Sequence, residues 1–206
     1  MALTVLIIGG SGRIGRSVAA DLLRYTDVTV TLTGRRSQAT FKLQSRQRYQ
    51  QLLVSDLVGV GDAIANHDLV IHCAGPFRTR DFNILAQCIE QKIPYIDVAD
   101  SPDYVSEALA FKDVAKAAGV TCIVSTGVFP GISNSMVRQG IEQLETADHV
   151  HLSYLVAGSG GAGVTVMRTT FTELQTPFEA TVNGERTVIQ PYSGREILPF
   201  PAPYNS

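Results

Sequence analysis

"LIIGGSGRIG", residues 6–15, is the stretch on which the reading of this chain turns. An apolar run over residues 3–8 stops at glycine, and Gly9, Gly12 and Gly15 follow at three-residue intervals. A strand apolar along its whole length suits a sheet covered on both faces. Past the glycines, Ile14, Val18 and Leu22 recur at four-residue spacing among Arg13, Arg16 and Asp21, which predicts an amphipathic helix. Strand, glycine turn and helix together can cradle a phosphate. The helix N-terminus offers unpaired N–H groups and a positive dipole end, and glycine lets a pyrophosphate approach the main chain. Gly10, Ser11, Arg13 and Ile14 in the same stretch are candidate cofactor contacts, Arg13 assisting from the first loop. A tight turn with no ligand has the same spacing, so the rest of the chain decides between them.

Five further strands are predicted, at residues 28–33, 49–54, 68–73, 95–98 and 120–125. Helices are predicted at 81–91, where Ile84, Leu85, Cys88 and Ile89 share a face, at 103–118, ended by Gly119, and at 132–144. This alternation argues for an α/β fold, a doubly wound parallel sheet with helices on both faces. The crossover between Gly34 and Arg48 is short and polar, so its helix is expected to be reduced or missing. After residue 147 the pattern changes to an alternating strand at 149–157, a glycine loop at 158–163 and a weak helix at 164–174. Two short strands, at 178–182 and 186–190, flank Asn183-Gly184, a strong hairpin signal. A dinucleotide-binding domain over 1–147 is therefore expected, followed at 148–206 by the start of a smaller α+β domain. Its core is thin, and the tail "LPFPAPYNS" adds no element, so this second domain is expected to be incomplete or completed by a partner.

Composition narrows the function classes. The 206 residues are 45% hydrophobic and 17% charged, with a net charge of −2, which suits a folded core and gives no overall basic field for nucleic acid. No run is long and apolar enough to predict a membrane span. Cys73, Cys88 and Cys122 are widely spaced without CxxC, and read as reduced thiols of a cytoplasmic protein. His149 and His151 share a strand face, but two ligands do not make a zinc site, and no metal is expected. His67 and His72 have no evident partner in the sequence.

Further candidate site residues fall where the strands end. An NAD site usually carries a carboxylate about twenty residues after the glycines. Here the second strand ends in Gly34, Arg35 and Arg36, and two guanidiniums suit the extra phosphate of NADP. Ser55 and Asp56 end the third strand, where a carboxylate can meet an adenine amino group. Ala74, Gly75 and Pro76 end the fourth, where the main chain can lie along the nicotinamide ribose. Asp97 and Asp100, in "YIDVAD", either face the cleft or serve the following helix, whose cap is Asp100 or Ser101. In "TGVFPGISN", Gly127 and Gly131 bracket a turn, and Ser133 or Asn134 caps the next helix or contacts substrate. Tyr95 and Tyr104 are candidate donors, but no Tyr-x-x-x-Lys pair stands where short-chain dehydrogenase chemistry needs it.

Taken in order, "IIGGSGRIGRSVAADL", "TGRR", "CAGPF", "YIDVAD", "GVFPGISN" and "GSGGAG…TTF…PFEATVNGE" resemble the saccharopine dehydrogenase-like family, the glutamate-forming saccharopine reductases and their relatives. The resemblance implies a Rossmann-type NADP(H)-binding domain followed by an α+β substrate and dimerisation domain, and hence a homodimer. It also implies hydride transfer to or from an amino-acid-derived imine, secondary amine or carbonyl, with Asp97, Asp100 and Asn134 in the cleft. Family members usually have a longer second domain. Two alternatives stay open: an NADP(H)-binding redox sensor or scaffold without turnover, and an atypical dehydrogenase acting on another carbonyl.

Overall fold

The computed structural model describes residues 2–155, 167, 170–172, 174–194 and 196–202. The strands are β1 (Thr4–Ile8), β2 (Thr29–Gly34), β3 (Gln47–Gln51), β4 (Leu69–His72), β5 (Tyr95–Asp97) and β6 (Cys122–Ile123). They form one parallel sheet in the order β3-β2-β1-β4-β5-β6, a Rossmann-type arrangement. The order reverses between β1 and β4, where Val5 pairs with Leu69 and Ile8 with His72. Ligands of open α/β sheets bind outside the strand ends at such a reversal.

β1 shows why its sequence is apolar throughout. Leu6 and Ile8 belong to one buried cluster, Val5 and Ile7 to another. Successive strand side chains point to opposite faces, so each face has its own core. Helix α1 (Arg13–Tyr25) packs on the Val5 and Ile7 face through Ala19 and Leu23. Helices α2 (Leu57–Ala65), α3 (Asn83–Glu90), α4 (Pro102–Ala108) and α5 (Lys112–Ala118) supply the other face with Ile64, Leu85, Tyr104 and Ala115. Fully burying one Leu or Ile contributes about 1.5–3 kcal/mol, so both layers matter to stability.

The structure departs from the sequence pattern in several places. The buried stripe of α1 is Gly15, Ala19 and Leu23, not Ile14, Val18 and Leu22. Ile14 is 48% exposed. Small residues let α1 lie close to the glycine turn, which rotates the larger ones to its flanks. β3 is Gln47–Gln51 rather than 49–54, a polar strand at the sheet edge. Helix α2 follows it, although the hydrophobic pattern did not single it out. The helix expected at 103–118 is interrupted by a tighter turn at Leu109–Phe111, where Phe111 packs on Phe82. Residues 149–155 carry no strand, so the alternation seen there has no ladder; 156 and 157 lie outside the described residues.

The helix-free crossover after β2 is pinned by a side chain. Arg46 donates to the carbonyl oxygens of Thr26 and Val28 and, through Nη2, to Leu23 O at 2.7 Å. A cation at the C-terminal end of α1 also complements its dipole. After β6 the chain turns into helix α6 (Ile132–Ile141).

The chain divides into two compact units, Met1–Ala157 and Gly158–Ser206. The second holds the antiparallel hairpin β7 (Phe178–Val182) and β8 (Glu185–Ile189). Asn183 and Gly184 have φ of 52° and 83°, the two left-handed residues of a tight hairpin turn. The glycine loop at 158–163 lies outside the described residues, as do residues 164–166, 168, 169 and 173 of the helix expected at 164–174. Met167 and residues 170–172 are helical.

Candidate functional site

The three opening glycines do different work. Gly9 has φ of +79°, and a Cβ there would lie 2.8 Å from Ala74 N. It makes the turn and lets the β1 loop lie against the β4 loop. A Cβ on Gly15 would sit 2.6 Å from Gly10 Cα and 2.7 Å from Gly9 O, so this glycine seats α1 on the turn. Among the described residues, a Cβ on Gly12 would meet only Gly9 O, at 3.1 Å. Gly12 is the N-cap of α1, with no side-chain cap and no acidic residue in the first turn. Within the helix the first-turn amides of Ile14 and Gly15 have no carbonyl a turn earlier to bond. That combination leaves room and donors for a phosphate at Gly12.

The loop is held by β2. Thr33, 1% exposed, accepts from Gly9 N at 3.1 Å and donates to Ile7 O through its hydroxyl. Its carbonyl accepts from Ser11 N at 2.9 Å, and Gly10 N and Gly12 N bond Ile7 O and Gly9 O. These bonds fix the turn before any ligand arrives. Thr33 was not singled out in the sequence, although a hydroxyl closing an apolar strand was its signal.

Gly34, Arg35 and Arg36 leave β2 beside this loop. Both arginine side chains are exposed, and neither forms an ion pair among the described residues. Tyr49 Oη donates to Arg36 O at 2.9 Å and Gln51 Nε2 to Arg35 O at 3.0 Å. Asp56, expected at an adenine, accepts from Gly59 N at 3.0 Å and caps α2. Ser55 lies in the turn just before it.

At the end of β4, Ala74, Gly75 and Pro76 carry a cis Gly75-Pro76 peptide. Arg80 holds this loop, donating to Ala74 O at 2.8 Å and to Gly75 O at 3.2 Å. The loop is thereby presented at the strand ends, next to the Gly9 turn.

Asp97 does not face the cleft. It is fully buried, and Oδ1 accepts from Ala99 N at 3.0 Å and Ser125 N at 2.9 Å. Oδ2 accepts from Tyr95 Oη at 3.1 Å. Burial raises its pKa, and the bonds from Ser125, Ala99 and Tyr95 offset part of that rise. Tyr95 also contacts His72 Nδ1 at 3.0 Å and Tyr104 Oη at 3.3 Å. Burial, with the Arg80 charge next in size, pushes His72 down to about 3, so its imidazole is neutral. Burial pushes Tyr104 up to about 12. In one consistent proton arrangement Tyr95 donates to ionised Asp97 while Tyr104 and His72 Nδ1–H donate to Tyr95. This polar cluster was missed because its members come from β4, β5 and α4, and no spacing announces it. His67, likewise without an evident partner in the sequence, contacts Ala63 O and Thr31 Oγ1.

The Asp97 cluster shapes the loop after β6. Besides Ser125 N, Thr126 bonds Asp97 O through its amide at 2.9 Å and its hydroxyl at 2.6 Å. Ser125 adopts a left-handed φ of +62°, uncommon for a side-chain-bearing residue, and its Oγ is buried without a partner among the described residues. Ser125, Thr126, Gly127 and Asn134 line a cleft of about 550 Å³. Asn134 is exposed there, and its Oδ1 accepts from Ser133 Oγ at 3.1 Å. Asp100 is also exposed, just before Ser101, the N-cap of α4. The structure thus gathers the Gly9 turn, the Arg35 loop and the Ala74 loop around the strand ends. Asp97 sits at the end of β5, bonded to the loop after β6.

The cysteines are free thiols. Burial pushes Cys73 and Cys88 up to about 12 and raises Cys122, which favours the protonated thiol. Among the described residues no three His, Cys, Asp or Glu side chains gather to hold a metal. No helix of the described residues is long and apolar enough to cross a membrane.

Comparison with known proteins adds three findings. The family model described as the saccharopine dehydrogenase NADP-binding domain matches residues 5–123. Saccharopine dehydrogenase [NADP(+), L-glutamate-forming] of Pyricularia oryzae is 29% identical over 151 residues, 71% of this chain and 32% of that protein. The apo, L-Glu-forming saccharopine dehydrogenase of Saccharomyces cerevisiae shares the fold with a TM-score of 0.57 at 22% identity, over 69% of this chain and 31% of that one. The chain therefore spans about a third of the length of the relatives it matches.

Proposed function

The chain belongs to the saccharopine dehydrogenase NADP-binding domain family, its cofactor is NADP(H), and we propose that it serves an oxidoreductase acting on an amino-acid-derived imine, secondary amine or carbonyl. The observation that carries this reading is the division of labour at the glycine turn. Gly9 and Gly15 are demanded by packing, whereas a Cβ on Gly12, beside uncapped helix amides, would meet only Gly9 O among the described residues. A bound NADPH supplies the hydride. The chain's own residues bind and orient: first-turn amides of α1 take the pyrophosphate, and Arg35 and Arg36 take the 2′-phosphate. Ala74, Gly75 and Pro76, held by Arg80, line the nicotinamide side. Gly127 borders the cleft in which Asn134 and the exposed Asp100 meet substrate. Asp97 holds the loop at Ser125 rather than touching substrate. Ser55 and Asp56 flank the adenine end, with the Asp56 carboxylate committed to its cap.

An imine is already electrophilic, so orientation can carry much of the rate without a strong acid. The burial of Asp97 also favours a second reading, an NADP(H)-binding sensor or scaffold without turnover. Following NADPH oxidation across a panel of amino acids with aldehydes, in a chain with a complete second domain, separates the two. Turnover with any pair supports the enzyme; tight NADPH binding with no turnover across the panel supports the sensor. Free thiols suit a cytoplasmic setting. The edges of the β7–β8 hairpin, unpaired among the described residues, suit a homodimer, and a monomer in light scattering would contradict that.

A further inference from the structure

We propose that Tyr49 and Gln51 set the preference for NADPH over NADH by fixing the main chain that carries Arg35 and Arg36. The inference rests on the reading of those arginines as the 2′-phosphate site. Long cationic side chains on a loose turn lose affinity to the cost of ordering, which a pre-set main chain reduces. Both turn carbonyls are held, Arg36 O by Tyr49 Oη and Arg35 O by Gln51 Nε2. The donors stand on β3, whose register sets Gly34 opposite Gln51 and Leu32 opposite Tyr49, and Leu52 N bonds Gly34 O at 2.9 Å. The Tyr49 ring is itself fixed, packed edge-on against Phe41 with centroids 6.4 Å apart.

Gly34 gives independent support. A Cβ there would collide with Ser11 Oγ and lie 2.6 Å from Tyr49 Oη. The turn therefore passes directly over the tyrosine hydroxyl and against the glycine loop. The phosphate-binding turn and the arginine pair are braced as one unit, and the hydroxyl of Tyr49 sits at their junction. Neither Tyr49 nor Gln51 needs to touch the dinucleotide for this effect. They are positioning residues, and β3 is a polar strand because its side chains perform this task at the sheet edge.

Calorimetric titration of the full chain with NADPH and with NADH tests this. Tyr49→Phe keeps the ring and removes only the hydroxyl; Gln51→Ala removes the second brace and guards against a folding failure in the first. Each is expected to raise the Kd for NADPH about three- to ten-fold while changing that for NADH less than about two-fold. Arg35→Ser serves as the reference, and Gln51→Ala added to the Arg35→Ser, Arg36→Ser double variant is expected to have no further effect on the NADPH-to-NADH ratio. If Arg35→Ser shifts the ratio and neither brace variant does, the positioning role is overturned while the arginine reading stands. If Arg35→Ser and Arg36→Ser both leave the ratio unchanged, the arginine reading fails and this inference falls with it. Equal weakening of NADPH and NADH by Tyr49→Phe would show a merely structural role and also overturn it.

Discussion

Replacing Gly12 and Gly15 separately by alanine distinguishes the glycine proposed to admit phosphate from the glycine that seats the helix. At Gly15 the new methyl would stand 2.6 Å from Gly10 Cα and 2.7 Å from Gly9 O, both main-chain atoms that cannot swing aside. Overpacking of this kind costs about 1–3 kcal/mol, and the upper part of that range applies against backbone. Alanine within a helix returns up to about 1 kcal/mol over glycine. The net expectation for Gly15→Ala is a loss of about 1–2 kcal/mol, or a few degrees in Tm at about 2–4 °C per kcal/mol for a domain of this size. At Gly12 the methyl meets, among the described residues, only Gly9 O at 3.1 Å, and the residue's φ of −75° is open to alanine. Its stability cost is expected to stay below about 1 kcal/mol. NADPH affinity should nonetheless fall at least about ten-fold, equivalent to about 1.4 kcal/mol, because the methyl occupies the space the pyrophosphate needs. Urea unfolding and NADPH titration of both variants read the two quantities separately. Unchanged NADPH affinity in Gly12→Ala, or unchanged stability in Gly15→Ala, would refute the assignment of roles.

Thr33→Val keeps the shape of a buried side chain and leaves Gly9 N without its acceptor, so urea unfolding should show a loss of about 1–3 kcal/mol. Asp97→Asn tests the buried carboxylate. Its folded pKa is raised, so between the ordinary carboxylate value and that raised value the folded state holds more protons and wild-type stability falls as pH rises. The stability of Asp97→Asn relative to wild type should therefore increase with pH through that window in pH-dependent urea melts; a flat difference would show that Asp97 titrates normally. Arg35→Asp should weaken NADPH about ten- to hundred-fold while leaving NADH within about two-fold, read by titration with each dinucleotide.

Much of the fold was legible because both faces of the sheet are covered. β1 and β4 are apolar at nearly every position, and α3 shows its buried face as Ile84, Leu85, Cys88 and Ile89. The third strand was displaced because its residues serve polar bracing at an edge rather than burial. Helix α2 was obscured by its two glycines, and the Asp56 before it has a capping duty that no spacing announces. The strand-end loops were legible from turn residues and charges alone. The Tyr95 cluster and the left-handed Ser125 were not, because both arise only when distant segments meet.

The central claim is that Gly12 and the Arg35-Arg36 pair form an NADP site, and parallel calorimetric titration of the full chain with NADPH and NADH tests it most directly. The account predicts saturable NADPH binding at least about ten-fold tighter than NADH, as charge-assisted contacts to one extra phosphate would give. Equal affinity for the two, or no binding of either, would contradict it.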